Sequence, residues 1–399
     1  MKMLNLYDLR NLIYIEFNDI ISVVVILMKK FDFSIYKGSK QFFYLFDVYI
    51  KYTNNSKKDL YHRFNINDSS YRRSRDMEQK VGKEIVNILS NYFGLVTPSY
   101  EEIEELEIVA NRIYNNMYYK IYDTYDSDMD YINNMLESKS LLFPILNLLK
   151  IFLVCNSTNS ANMVFQENKT LYMHTKIYTK FFNSELNSLL EILKLFFGDF
   201  TLNNEWTHEY DNAMAYQIMA SKCYIEDQYI QSIFYSTKAN EILLKELNFK
   251  RYITNNRTLM NSLLCVGNYD LCYNLATKQL YSVNSLNYSD YEKSIIDDFI
   301  CVALLGQRKY QVLIDNLFEC EALTLNSISC LLISLFIIDE NKFHYYINEK
   351  LDYNEMSEAQ SMFLKNIINY LITKNKDILD NIDKKQCLKG LLKILKKYL

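Results

Sequence analysis

Apolar residues recur at helical spacing along most of this chain, and short polar stretches separate the stripes. Phe42, Leu45, Phe46 and Tyr49 share one face of a helix predicted over 41–52. Ser56 is a good N-cap for a second helix over 57–64, whose Leu60 and Phe64 stand four apart. Asn65 follows where a tight turn needs positive φ, which asparagine tolerates better than any residue except glycine, and Ile66 plugs the corner. Asp68 or Ser69 is expected to cap a short helix through Tyr71 and Arg75. A further stripe of Val81, Ile85, Ile88, Leu89 and Tyr92 predicts a helix over 81–92 that Gly94 ends. Residues 40–94 thus read as one helix-turn-helix domain, after an N-terminal extension over 1–39.

Downstream, Pro98 and Ser99 start a new helix, and the acids from Glu101 to Glu107 suit its positive N-terminal end. Nine acids face only Arg112 and Lys120 between residues 95 and 130, so 95–160 reads as acidic linker helices. The stretch 141–154 contains Pro144, Asn147 and Lys150, which fits a buried helix better than a membrane span. Over 161–399 a weak repeat emerges. Tyr229, Tyr269, Tyr310 and Phe343 each follow a predicted helix–helix turn, with Gly267 at the clearest one. Apolar triplets precede them: Met219/Ala220/Cys223, Leu259/Met260/Leu263, Ile300/Cys301/Leu304 and Ile333/Ser334/Ile337. Only seven glycines and two prolines occur, too few for strand-rich architecture. The expected class is all-α, a helix-turn-helix domain followed by an irregular α-solenoid like tetratricopeptide repeats (TPR-like).

Charge sharpens this picture. Residues 28–93 hold 13 Lys/Arg and 7 Asp/Glu, a local +6 in a chain of −4, so the remainder carries −10. Positive charge gathered on one compact segment suits a polyanion. Abundant Ile, Lys, Asn, Tyr and Phe suggest an AT-rich genome, in which the cluster Arg72, Arg73 and Arg75 stands out. Ser69, Ser70, Tyr71, Arg72, Arg73 and Arg75 on the second helix of the motif, with Lys80 and Lys83 beyond it, are the expected contacts to double-stranded DNA. The eight cysteines form no CxxC pair and the four histidines lie far apart, so no metal, cofactor or disulfide framework is expected. The cysteines read as core residues in a reducing cytoplasm. No targeting segment is evident, and Met28 is an alternative start.

A solenoid presents its first helices along a groove. Offsetting from the triplets puts Gln217, Ser221, Tyr224, Arg257, Asn261 and Asp298 there, as candidate contacts to a short extended peptide. Leu331 and Leu335 offer an apolar surface that suits a dimer partner or a packed cap, and with the terminal stripe Leu388, Leu391, Leu392 and Leu395 they are the expected surface of a homodimer.

The run NINDSSYRRSR for the reader helix and GNYDLC with its neighbours for the repeats resemble the peptide-pheromone-sensing transcription regulators of Gram-positive bacteria, the Rgg/PlcR type. The resemblance covers the architecture over roughly residues 40 to 399. It implies a DNA-binding homodimer reset by a short secreted peptide, with Asn261 as the nearest match to the groove asparagines of that family. An adaptor that binds a partner protein through its helical repeats, without DNA, is the alternative. No acid, base and nucleophile cluster in the sequence, so an enzyme is not expected.

Overall fold

The computed structural model describes residues 30–77, 80–157, 161–199, 213–285, 289–320, 323–353, 356–375, 377–380, 382 and 386–398. Most of the extension expected over 1–39 lies outside them. The described residues are helical, with no strand and one isolated bridge between Val96 and Ser140. The chain divides into two compact units, Met1–Tyr210 and Asp211–Leu399. This division falls at neither residue 94 nor residue 160, the boundaries expected from the sequence.

The first unit contains α1 (Lys40–Tyr52), α2 (Lys57–Arg63), α3 (Asp68–Asp76), α4 (Lys80–Phe93), α5 (Tyr100–Tyr119), α6 (Tyr125–Glu137), α7 (Phe143–Ser157), α8 (Ala161–Thr175) and α9 (Ser184–Phe197). Ser99 and Glu102 close a capping box at the start of α5, each side chain bonding the other's backbone N–H. Sequence charge suggested that this acidic helix is a linker. Instead its Ile103, Leu106, Ala110, Ile113 and Met117 are buried, and Glu101, Glu104 and Glu105 meet solvent on the outer face. The apolar α7 is buried as expected. Among the described residues no helix is long and apolar enough to cross a membrane.

Residues 30–37 belong to this core. Phe31 and Phe33 are buried, an effect worth roughly 1.5–3 kcal/mol for each ring. Their backbone is held by side chains of α5: Lys30 N and Phe31 N donate to Asn111 Oδ1 at 2.6 and 2.9 Å, and Phe33 N donates to Glu107 Oε2 at 2.7 Å. Tyr36 Oη donates to the Phe181 carbonyl at 3.0 Å.

The second unit is a succession of helical hairpins: α10 (Ala213–Ile225) with α11 (Tyr229–Lys245), α12 (Phe249–Val266) with α13 (Tyr269–Ser285), α14 (Asp290–Gly306) with α15 (Tyr310–Leu317), and α16 (Leu325–Ile338) with α17 (Glu340–Tyr345). First helices neighbour one another in the order α10, α12, α14, α16. Then come α18 (Glu358–Thr373), α19 (Asp377–Asp380) and α20 (Lys389–Tyr398). Tyr229, Tyr269 and Tyr310 open the second helix of their hairpins, the register that the repeat predicts. A left-handed residue makes each turn possible: Asp227 (φ 62°), Gly267 (φ 81°) and Arg308 (φ 61°).

Successive hairpins lock through Tyr269, whose ring lies against Gly306 at the end of α14 so closely that any Cβ there would overlap it. Gly306→Ala is therefore expected to destabilise the protein by about 1–3 kcal/mol despite the better helix propensity of alanine. Urea unfolding measures the change. A stability equal to or above wild type would show that the ring moves aside freely.

Of the two covers expected for Leu331 and Leu335, a packed cap is present, and the expectation of a dimer surface is corrected. Both leucines are fully buried in the core of the second unit, together with Leu391 and Leu395 of α20. The apolar stripes are consumed within the chain.

Candidate nucleic-acid interface and first-helix face

In the basic segment, local chemistry sets the path of the backbone. Ser56 Oγ accepts from Asp59 N at 3.3 Å and starts α2. Asn65 takes φ 53°, the left-handed turn expected of it, and Ile66 is buried at the corner. The cap of α3 is Asn67, one residue before the expected Asp68 or Ser69, because its Oδ1 reaches both Ser69 N (2.9 Å) and Ser69 Oγ (2.8 Å). Gly94 ends α4 at φ 65°.

The expected DNA contacts separate on this frame. Ser69, Arg72 and Arg73 are exposed on the outer face of α3, and Ser70 is half-buried. Arg72 pairs with Asp68 at 2.9 Å, four residues earlier, while Arg73 donates to Ser69 O and Oγ at 3.2 and 3.3 Å. Arg75 is more enclosed, paired with Asp76 at 2.9 Å and Asp47 at 3.5 Å. Lys83 is exposed beside Tyr100 Oη at 2.9 Å. The Lys80 side chain lies outside the described residues.

Tyr71 corrects the expectation: it faces inward. Its ring meets Phe43 edge-on at 4.8 Å and Tyr61 at 5.1 Å, and its hydroxyl donates to Asp47 Oδ1 at 3.0 Å. It holds α3 in place and cannot reach a groove. Tyr61 thus fills the crossing of α2 and α3 by packing on a second tyrosine.

Sequence reasoning missed Asp47. Its carboxylate on α1 gathers Lys57 of α2 with Tyr71 and Arg75 of α3, so one acid orients both helices of the motif. An acid inside the stripe Phe42, Leu45, Phe46, Tyr49 was the available clue.

The candidate peptide contacts in the second unit are partly committed elsewhere. Gln217 is buried and accepts from Arg251 Nη1 at 2.8 Å. Arg257 pairs with Glu292 at 3.4 Å. Ser221 is half-buried on α10, and Tyr224 and Asn261 come together at 3.5 Å between Oη and Oδ1. Asp298 is buried, and its carboxylate accepts from Thr324, Ser327 and Asn326 at the start of α16. The geometry therefore joins two of the six, Tyr224 and Asn261, and turns Gln217, Arg257 and Asp298 into inter-helix contacts.

Burial pushes the Asp298 carboxyl above its ordinary 3.8, against the lowering effect of its hydrogen bonds with Thr324, Asn326 and Ser327. A raised carboxyl contributes stability that is present below pH 3.8 and lost as pH rises through its folded value. Asp298→Asn, which cannot ionise, is expected to gain on wild type as pH rises from 4 to 7. Urea titrations at both pH values give the difference, and a constant difference would overturn the assignment.

None of the eight cysteines forms a disulfide. Burial pushes the thiols of Cys155, Cys272 and Cys301 up to about 12, leaving them protonated and unreactive at neutral pH. Among the described residues no group of His, Cys, Asp or Glu is arranged to hold a metal ion. Comparison with known proteins finds no matching family model, curated protein or solved structure.

Proposed function

We propose that the protein is a cytoplasmic DNA-binding transcription regulator, in which α2 and α3 act as a helix-turn-helix and the hairpins of the second unit act as a TPR-like solenoid that takes a peptide ligand. The observation that carries this reading is the outer face of α3: Ser69, Arg72 and Arg73 exposed beside the helix N-terminus, in the basic part of an acidic chain. Lys58, His62 and Arg63 of α2 are exposed in the same segment. Backbone N–H groups and hydroxyls at the start of α3 suit phosphate, and the two guanidinium groups suit base edges or phosphate. Asp47 fixes the angle between the two helices, so the surface is preorganised.

Binding to two half-sites would make the regulator a homodimer. The adaptor alternative draws on one fact: all three guanidinium groups already have acceptors within the chain. The salt dependence of binding to random duplex separates the two. A regulator loses affinity steeply as salt rises, roughly in proportion to the phosphates it contacts. Absence of duplex binding at low salt would favour the adaptor.

A further inference from the structure

The face formed by the first helices already holds a ligand, the chain's own last helix. α20 lies on α12 and α14 and buries Leu391, Leu392 and Leu395. It approaches closely: a Cβ on Gly390 would lie 2.5 Å from Leu264 Cβ, so only glycine fits that position. Two lysines one helical turn apart are held at the adjoining helix ends. Lys389 Nζ donates to the Tyr224 carbonyl at 3.2 Å and to Asp227 Oδ1 at 2.9 Å, and stands 4.7 Å from the centre of the Tyr224 ring. Lys393 Nζ donates to the Cys265 carbonyl at 3.0 Å and stands 4.0 Å from the centre of the Tyr229 ring.

Tyr224 and Cys265 belong to the last turns of α10 and α12, where backbone carbonyls lack helical partners and the helix dipole is negative. Each lysine therefore meets a helix C-terminus and an aromatic face together. The second unit thus offers an apolar trough and two lysine cradles at the spacing of one helical turn. That is a recognition pattern for one chemistry, a basic amphipathic helix with lysines at i and i+4 and a glycine after the first.

We propose that this face is a binding site for a lysine-bearing amphipathic helical peptide, and that α20 occupies it in cis until such a peptide displaces it. The proposal rests on the peptide-binding part of the proposed function and names its ligand class. It replaces the extended peptide with a helix, because Gln217, Arg257 and Asp298 are engaged in contacts between the unit's own helices. A tethered helix competes at an effective concentration of the order of millimolar, so a free peptide binds the intact protein weakly and binds strongly once α20 is released.

The test uses the full chain and a fluorescein-labelled peptide, KGLLKILKKY, copied from residues 389–398. In the chain, Lys389→Glu with Lys393→Glu places acids against Asp227 and two helix C-termini and releases α20. Anisotropy is expected to show the variant binding the peptide at least roughly tenfold tighter than wild type does. The same peptide carrying both Lys→Glu changes is expected not to bind. Equal affinities for wild type and variant, or no binding to a variant with wild-type circular dichroism, would overturn the proposal.

A second measurement needs no variant. Excess unlabelled KGLLKILKKY added to the wild-type chain is expected to strip hydrogen-exchange protection from the α20 amides, and the glutamate peptide is expected not to. Unchanged protection with millimolar peptide would also overturn the proposal. Duplex affinity measured in parallel distinguishes the failures. Peptide binding that leaves DNA affinity unchanged sinks the regulator and leaves the site, whereas DNA binding without peptide binding sinks the site alone.

Discussion

Arg72→Ala combined with Arg73→Ala is expected to remove most specific DNA binding, at roughly 1–3 kcal/mol for each guanidinium directed at a base. The intramolecular partners of these residues do not protect against that loss. The Arg72–Asp68 pair is 67% and 53% exposed on its two sides, and an exposed ion pair is worth only about 0–1 kcal/mol. A phosphate or a guanine edge can therefore replace Asp68 at little cost. Asp68→Ala, which frees Arg72, should bind duplex as tightly as wild type or more so. Each lost phosphate contact should also flatten the salt dependence by about one unit of slope. Anisotropy on a selected operator at several salt concentrations reads all three. A double mutant with wild-type affinity and slope would move the DNA site away from α3.

Arg112→Ala should have the largest effect on stability, a loss of about 3–5 kcal/mol. Asp128 is fully buried, and its carboxylate accepts from Arg112 Nε (2.9 Å), Arg112 Nη2 (2.5 Å) and Thr124 Oγ1 (2.7 Å). The Arg112 side chain is 40% exposed, so water can solvate the guanidinium but not the acid. Removing the arginine leaves an uncompensated charge inside, and that desolvation sets the size of the effect. Adding Asp128→Asn to Arg112→Ala should recover part of the loss, because the second change removes the stranded charge. Such a loss is a large share of a typical stability of 5–15 kcal/mol. Urea midpoints of the two single variants and the double variant close the cycle. A loss below about 1 kcal/mol for Arg112→Ala would show that the first unit opens to water at Asp128.

Features that depend on near neighbours were legible in the sequence. The left-handed Asn65, the cap at Ser56, the stops at Gly94 and Gly267 and the position of Tyr229, Tyr269 and Tyr310 all follow from chemistry within a turn or two. What depends on distant partners was not. Asp47 meets Tyr71 and Arg75, 24 and 28 residues away, and Phe31 meets Asn111 80 residues on. Charge along α5 concealed its buried face, because nine acids over a stretch outweigh an apolar stripe when composition alone is read. The Leu391 and Leu395 stripe was read as a dimer surface, because periodicity does not say whether another chain or α12 and α14 cover it. Lys389 reaches Asp227 across 162 residues, beyond any local pattern.

Leu247 joins α11 to α12 at φ 56°, and Asn54, Asn65, Lys120, Lys139, Asp227, Arg308 and Lys374 hold similar values. A side chain in that region costs roughly 1–2 kcal/mol relative to the ordinary right-handed conformation. Glycine would relieve it, yet the chain has seven glycines in 399 residues. The turns, and not the core, are therefore where this protein has room to change. A single codon drifting toward glycine at Leu247 would shed strain without disturbing a buried residue, although added freedom in the unfolded chain returns some of the gain. Asp227 is different, since its carboxylate serves Lys389 and Tyr229. Heat tolerance in this lineage can thus be tuned at its corners while the helices that carry its chemistry stay fixed.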